Sequence, residues 1–258
     1  MELTAKDRRV IVTAGGSGIG RAIAEVFLAA GARVHICDVD DKFLADARAK
    51  LPGLGITHAD VGSAGDVDRL FDEAIAAMGG IDVLVNNAGI AGPTARVEDT
   101  SPADWDRVIA VNLSGMFYGV RRAIPEMKRA GGGLIVNISS TSGKTGLPLR
   151  VAYAVSKHAV MGLTETLARE AGPDQIRVNT ILPGWMNNER GRRVAKAKSA
   201  ALGIPLDDFV RRESEFISLR TMIEPEEIGH MALFLASDLG RHISGQHIGV
   251  CGNVEYER

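Results

Sequence analysis

The stretch "VIVTAGGSGIGRAI", Val10 to Ile23, decides the fold. It opens on β-branched residues, passes through Gly15, Gly16, Gly18 and Gly20, and ends inside an apolar helical stripe. Ile19, Ala22, Ile23, Val26, Phe27 and Ala30 keep the spacing of one helix face. A strand, a glycine turn and a helix in this order make a phosphate cradle. The glycines let the backbone come close, and the helix N-terminus offers unpaired N–H groups and a positive dipole end. Asp38 closes the next β-rich run, 20 residues beyond Gly18, where a carboxylate can accept hydrogen bonds from an adenosine ribose. A purely structural turn remains possible on the glycines alone, but the strand, helix and acid together favour a dinucleotide.

Outward from this unit the pattern repeats. The runs "RVIVTA", "RVHICD", "LGITHAD", "IDVLVNN", "GLIVNISS", "IRVNTIL" and "QHIGV" read as strands. Between them lie helix faces such as Val67, Leu70, Phe71, Ala74, Ile75 and Met78, and later Ile228, Met231, Ala232 and Leu235. Strands alternating with amphipathic helices predict a Rossmann-type doubly wound α/β domain over residues 1–258, a seven-stranded parallel sheet covered on both faces. Residues 184–220 break the pattern. They contain no strand, and "NNERGRRVAKAKSAALG" reads as a basic helix after a turn. An excursion of that length at the carboxyl end of a strand predicts a substrate lid.

Composition excludes several classes. Thirty basic and 32 acidic residues give a formal charge of −2, which argues against nucleic acid as a partner. No apolar run approaches a membrane span, and "MELTAKDRRVIVTAGG" lacks a secretory signal pattern. Cys37 and Cys251 have no metal-type spacing and are expected as reduced thiols of a cytoplasmic protein. His158, His242 and His247 also lack ligand spacing and supporting carboxylates, so no metal is expected and they read as surface or packing residues.

A second segment, "YAVSKHAV" (153–160), carries chemistry. In a helix, Tyr153 and Lys157 fall on one face. A free phenol titrates near pH 10, about three units too high for a base at neutral pH, and a neighbouring cation favours the phenolate. Alone, the spacing is a weak signal, and ordinary amphipathic surface is the favoured reading.

Together with "TAGGSGIG" (13–20), "NNAG" (86–89), "VNL" around Asn112, "ISSTSG" (138–143) and "PG" (183–184), the pair makes the chain resemble the short-chain dehydrogenase/reductase family over its whole length. Ala14 stands where that family usually has its first glycine, which a negative φ would accommodate. The resemblance implies an NAD-type cofactor and a catalytic set of Asn112, Ser140, Tyr153 and Lys157. Tyr153 would move the proton and Lys157 would support it and hold the nicotinamide ribose. Ser140 would donate to the substrate oxygen, and Asn112 would kink a helix and position a water. Cofactor contacts are implied for Gly15, Ser17, Gly18, Ile19, Gly20, Asp38, Asp60, Val61, Asn87, Ala88, Gly89, Pro183 and Gly184, besides Tyr153 and Lys157.

Asp38, with no nearby Arg or Lys, favours NAD over NADP. Ser142, Arg150, Trp185, Asn187 and Arg190 are the candidate substrate residues. Arg150, three positions before Tyr153, is expected near the pocket mouth, where it or Arg190 could hold an anionic group. Otherwise the lid cations form a solvated face. The activity implied is hydride transfer between the nicotinamide and a secondary alcohol or ketone on a small hydroxylated compound, polyol or sugar. Alternatives are a 3-oxoacyl-carrier-protein-type reductase, which acidic Glu170 and Asp174 disfavour, and a non-catalytic cofactor-sensing protein. Long helices at 103–130 and 152–171, the second with small residues Ala154, Gly162 and Ala168, point to a homotetramer or homodimer.

Overall fold

The computed structural model describes residues 3–254. All seven expected strands form: β1 (Arg9–Thr13), β2 (Arg33–Asp38), β3 (Gly55–His58), β4 (Val83–Asn86), β5 (Gly133–Ile138), β6 (Ile176–Pro183) and β7 (His247–Val250). They pair in parallel in the order β3-β2-β1-β4-β5-β6-β7. One face is covered by α1 (Gly18–Ala29), α2 (Asp41–Lys50) and α9 (Pro225–Ala236). The other is covered by α3 (Ala64–Met78), α5 (Gly115–Arg129) and α6 (Val151–Ala171).

The strands are apolar at successive positions because both faces are buried. Val10 and Val12 of β1 pack with Ile23 and Phe27 of α1, while Ile11 between them packs with Leu70 and Phe71 of α3. β4 divides in the same way, Val83 and Val85 to one cluster and Leu84 to the other. The chain moves from β1 out to β3 and returns across β1 to β4. The order therefore reverses between β1 and β4, and their carboxyl ends leave a crevice there.

Two features refine the sequence reading. The helix expected at 103–130 is α4 (Pro102–Ile109) and α5 joined by a π-helical turn over Ala110–Ser114. The 184–220 excursion is two helices, α7 (Glu189–Leu202) and α8 (Leu206–Glu215), of which only the first was read from sequence. The Asn188 side chain accepts from the Gly191 N–H to cap α7, and Gly203 ends it with φ 66°. Short bridges, Met186 to Ile223 and Ile217 to Val254, pin the excursion to the body. On α6, Ala154 is buried within the chain whereas Gly162 is exposed, so the small residues expected to allow close helix approach do not all lie on an outer face.

Candidate active site

The glycine turn, the carboxyl ends of β1, β2, β4, β5 and β6, and the α7–α8 excursion enclose a cavity of about 780 Å³. At its glycine end, Gly18 has φ 55° and open space where a side chain would begin. Gly20 does structural work: a Cβ there would lie 2.2 Å from the Ala14 carbonyl oxygen. Ser17 is the N-cap of α1 but makes no side-chain cap hydrogen bond, so its side chain does not fill the N-terminal end of the helix. Ser17, Gly18 and Ile19 line the cavity, whereas Gly15 and Gly20 lie behind the wall.

Ala14 departs from expectation. Its φ is 49°, in the left-handed region, not negative. An alanine pays about 1–2 kcal/mol for that conformation, partly offset by the greater unfolded-state freedom of the glycine that would replace it. Ala14→Gly is therefore expected to stabilise the protein by roughly 0.5–1 kcal/mol, while Gly18→Ala destabilises it. Thermal unfolding of the two variants checks this; a lower melting temperature for Ala14→Gly would contradict the strain.

Asp38 ends β2 with both carboxylate oxygens in use. Oδ2 accepts from the Gly16 N–H at 3.1 Å, and Oδ1 from the Val39 and Asp40 N–H groups at 2.8 and 3.2 Å. These bonds fix the carboxylate against the cavity wall beside Val39 and Phe43. Asp60 accepts from the Gly62 N–H and pairs with Arg107 at 2.9 Å, and Val61 is buried next to it. The floor is set by Thr13, whose Oγ1 accepts from the Asn87 and Ala88 N–H groups.

At the other end, the π turn turns Asn112 inward, fully buried. Its Oδ1 accepts from the Ile90 N–H at 2.7 Å, and its Nδ2 donates to the Ile90 carbonyl and to Ser156 Oγ, each at 3.0 Å. Ser156 in turn donates to the Tyr153 carbonyl. Lys157 Nζ donates to the Ile138 carbonyl at 2.8 Å and lies 5.7 Å from the Tyr153 ring centroid. Ser139 Oγ donates to the Lys157 carbonyl, which fastens α6 to the end of β5. A Cβ built on Gly89 would be 3.3 Å from Asn112 Oδ1 and 3.4 Å from Lys157 Nζ, so these groups converge on one point of the floor. Ser140 Oγ accepts from the Ser142 N–H, and Ser140, Ser142, Tyr153 and Lys157 all line the cavity. Burial, reinforced by the charge of Arg190, pushes the Lys157 ammonium down to about 7.

The expected substrate residues separate. Trp185, Arg150 and Arg190 line the cavity. Asn187 does not: it is exposed, and its amide donates to Glu224 Oε1 at 2.7 Å. Arg150 is 5% exposed, so it sits in the interior and not at the mouth. His247, expected without a carboxylate, lies 2.8 Å from Glu165, while among the described residues no cluster suits a metal ion.

A family model described as "Enoyl-(Acyl carrier protein) reductase" matches residues 13–253. A probable galactose dehydrogenase, GalD, of Rhizobium meliloti (strain 1021) is 36% identical over 254 residues, 96% of this chain and 95% of that relative. The D-beta-hydroxybutyrate dehydrogenase of Cupriavidus necator is 34% identical over 243 residues, 92% and 94% of the two chains. A solved NAD+-bound xylitol dehydrogenase superposes with a TM-score of 0.91 at 29% identity, covering 96% and 98%. The chain belongs to the short-chain dehydrogenase/reductase family.

This short-chain dehydrogenase/reductase is accordingly an oxidoreductase of CH–OH groups, and solved neighbours in the family bind nicotinamide cofactors. Several lining residues escaped the sequence reading. Phe43 had a signal, being an apolar residue in the first turn of the helix that follows the acid of β2. Arg107, Phe209 and Ile217 had none, since the first two arrive by helix packing and Ile217 by its bridge to Val254.

Proposed function

We propose that this enzyme is NAD-dependent and interconverts a secondary alcohol and a ketone on a small hydroxylated compound such as a polyol or sugar. The observation that carries the reading is that Ser140, Tyr153 and Lys157 line one cavity with the Asp38 carboxylate, while buried Asn112 and Lys157 converge at Gly89. Relatives named for galactose, hydroxybutyrate and xylitol support the substrate class.

The residues present fit a dinucleotide. The open Gly18 and the unfilled N-terminus of α1 suit a pyrophosphate, and Asp38 suits a ribose diol. When bound, the cofactor supplies a hydride acceptor or donor at its nicotinamide ring. In oxidation, Tyr153 takes the proton of the substrate hydroxyl, and in reduction it returns a proton to the carbonyl oxygen. The Lys157 ammonium supports the charge left on the phenolic oxygen, and Ser140 donates a hydrogen bond to the substrate oxygen as charge develops there. Asn112 holds the Ile90 backbone and Ser156, and so sets the position of α6.

A 2′-phosphate would meet the Asp38 carboxylate beside Val39 and Phe43, neither of which is cationic. The expected outcome is a kcat/KM for NAD at least about tenfold above that for NADP. The test follows the ultraviolet absorbance of the reduced cofactor with both dinucleotides and a panel of secondary alcohols, polyols and sugars. A preference for NADP would overturn the cofactor assignment, and silence across the panel the substrate class. We extend the reading to a cytoplasmic protein and to a homotetramer or homodimer, the assembly being supported by Phe117 on α5 and Val155 on α6, apolar and exposed. Light scattering on the same preparation should give a multiple of the single-chain mass.

A further inference from the structure

The cavity wall on the excursion side carries an excess of positive charge. Arg150, Arg190, Arg193 and Lys198 line it, against Glu189 and Glu213. Some partly buried cations of this protein are paired, as Arg9 is with Asp82 and Arg122 with Asp68 and Asp72, while Arg177 rests on the Gly240 and Ile243 carbonyls away from the cavity. Among the described residues, no carboxylate lies within 4.0 Å of Arg150, Arg190 or Lys198, whose contacts are with neutral groups. Arg190 donates to the Gly89 carbonyl at 2.8 Å, and Lys198 Nζ lies 5.8 Å from the Phe209 ring centroid. Glu213 acts on Lys198 only from beyond ion-pair range.

Arg150 is the most demanding case. It is 5% exposed, its Nη1 donates to the Ala91 and Gly92 carbonyls at 3.1 Å each, and its Nε is buried without a hydrogen-bond partner. A buried guanidinium without a counter-ion is costly, and each unmade hydrogen bond adds to that cost. The committed Nη1 leaves the Nε–Nη2 edge, the side of the fork that grips an oxyanion bidentately. Burial and the mutual repulsion of the cations hold Arg150 and Lys198 below their ordinary ranges, a penalty that an incoming negative charge relieves.

We infer that Arg150 and Lys198 form an oxyanion subsite, so that the preferred substrate is a small hydroxy or keto acid whose carboxylate rests on these two cations while its carbinol or carbonyl faces Tyr153. This deepens the oxidoreductase reading above and rests on it. The probes are isobutyrate and its neutral isostere isobutyramide, titrated calorimetrically onto the full chain saturated with NADH. Isobutyrate should bind at least about tenfold more tightly than the amide. Lys198→Met and Arg150→Met should each weaken isobutyrate about tenfold or more. Lys196→Met, on the exposed face of the same helix, should leave it unchanged. If Arg150→Met loses NADH binding because its carbonyl ties are broken, Lys198→Met decides alone. Equal affinity for acid and amide, or undiminished isobutyrate binding by Lys198→Met, overturns the subsite. NADH binding and turnover of neutral secondary alcohols are measured on the same protein; their failure would sink the underlying oxidoreductase reading instead.

Discussion

Replacing Tyr153 by phenylalanine is expected to lower kcat by about three orders of magnitude, within the range a positioned general acid–base contributes. The change removes one oxygen and little else. The hydroxyl faces the cavity and has no hydrogen-bond partner among the described residues, so its loss breaks no internal bond. Folding stability should therefore move by less than about 1 kcal/mol, as for a substitution that leaves no cavity and no orphaned polar group. Dinucleotide affinity should stay within about threefold, since the ring and Lys157 remain. An interaction made only in the transition state lowers kcat and kcat/KM together, and that is the pattern expected. A variant retaining a tenth of normal kcat, or one whose defect lies in KM alone, would remove Tyr153 from the proton-transfer role.

How much of this was legible in the sequence follows from where each residue sits. In a doubly wound sheet the carboxyl ends of all strands gather at one edge, so residues at the ends of β-rich runs meet although they are far apart in the chain. Asp38, Asn87, Ser140 and Pro183 sit at or just after strand ends, and each lines the cavity. Tyr153 and Lys157 were legible because a helix period sets their common face. The misses lie where no period applies. Asn187 belongs to the irregular turn after β6, and its side chain turns to Glu224. Ala14 takes a left-handed φ because the glycine turn and the packing of Gly20 on its carbonyl fix the backbone, a tertiary constraint that alanine by itself does not announce. Arg150 was placed correctly in sequence relative to Tyr153 but wrongly in depth. The carbonyls that draw it inward belong to Ala91 and Gly92, nearly sixty residues away.

Lys157→Met is expected to abolish turnover while making the protein relatively easier to keep folded at low pH. The ammonium is 3% exposed, and burial lowers it from its ordinary 10.5 to about 7. Below pH 7 folded and unfolded chains are both protonated at this residue, so the native state bears the full cost of the buried charge. Between about 7 and 10.5 the unfolded chain still binds the proton that the folded chain has released, and stability rises with pH across that window. At about 1.4 kcal/mol per pH unit, the whole window is worth a few kcal/mol. Methionine removes that dependence, but leaves the Ile138 carbonyl without its donor at a cost of about 1–3 kcal/mol. The sign at any single pH depends on both terms; the slope depends on the lysine alone. Denaturant unfolding of the two cofactor-free proteins at pH 6, 8 and 10 should thus show the difference moving steadily in favour of the unaltered protein as pH rises. Titrating groups remote from Lys157 are common to both and cancel. Turnover should fall by about a thousandfold or more, and NADH affinity by about tenfold, if the same ammonium supports Tyr153 and holds the ribose as proposed. A stability difference that ignores pH would mean that Lys157 does not carry the buried charge on which this coupling rests. With the expected slope, Lys157 is a residue the fold tolerates at a cost that grows as pH falls from about 10.5 toward 7.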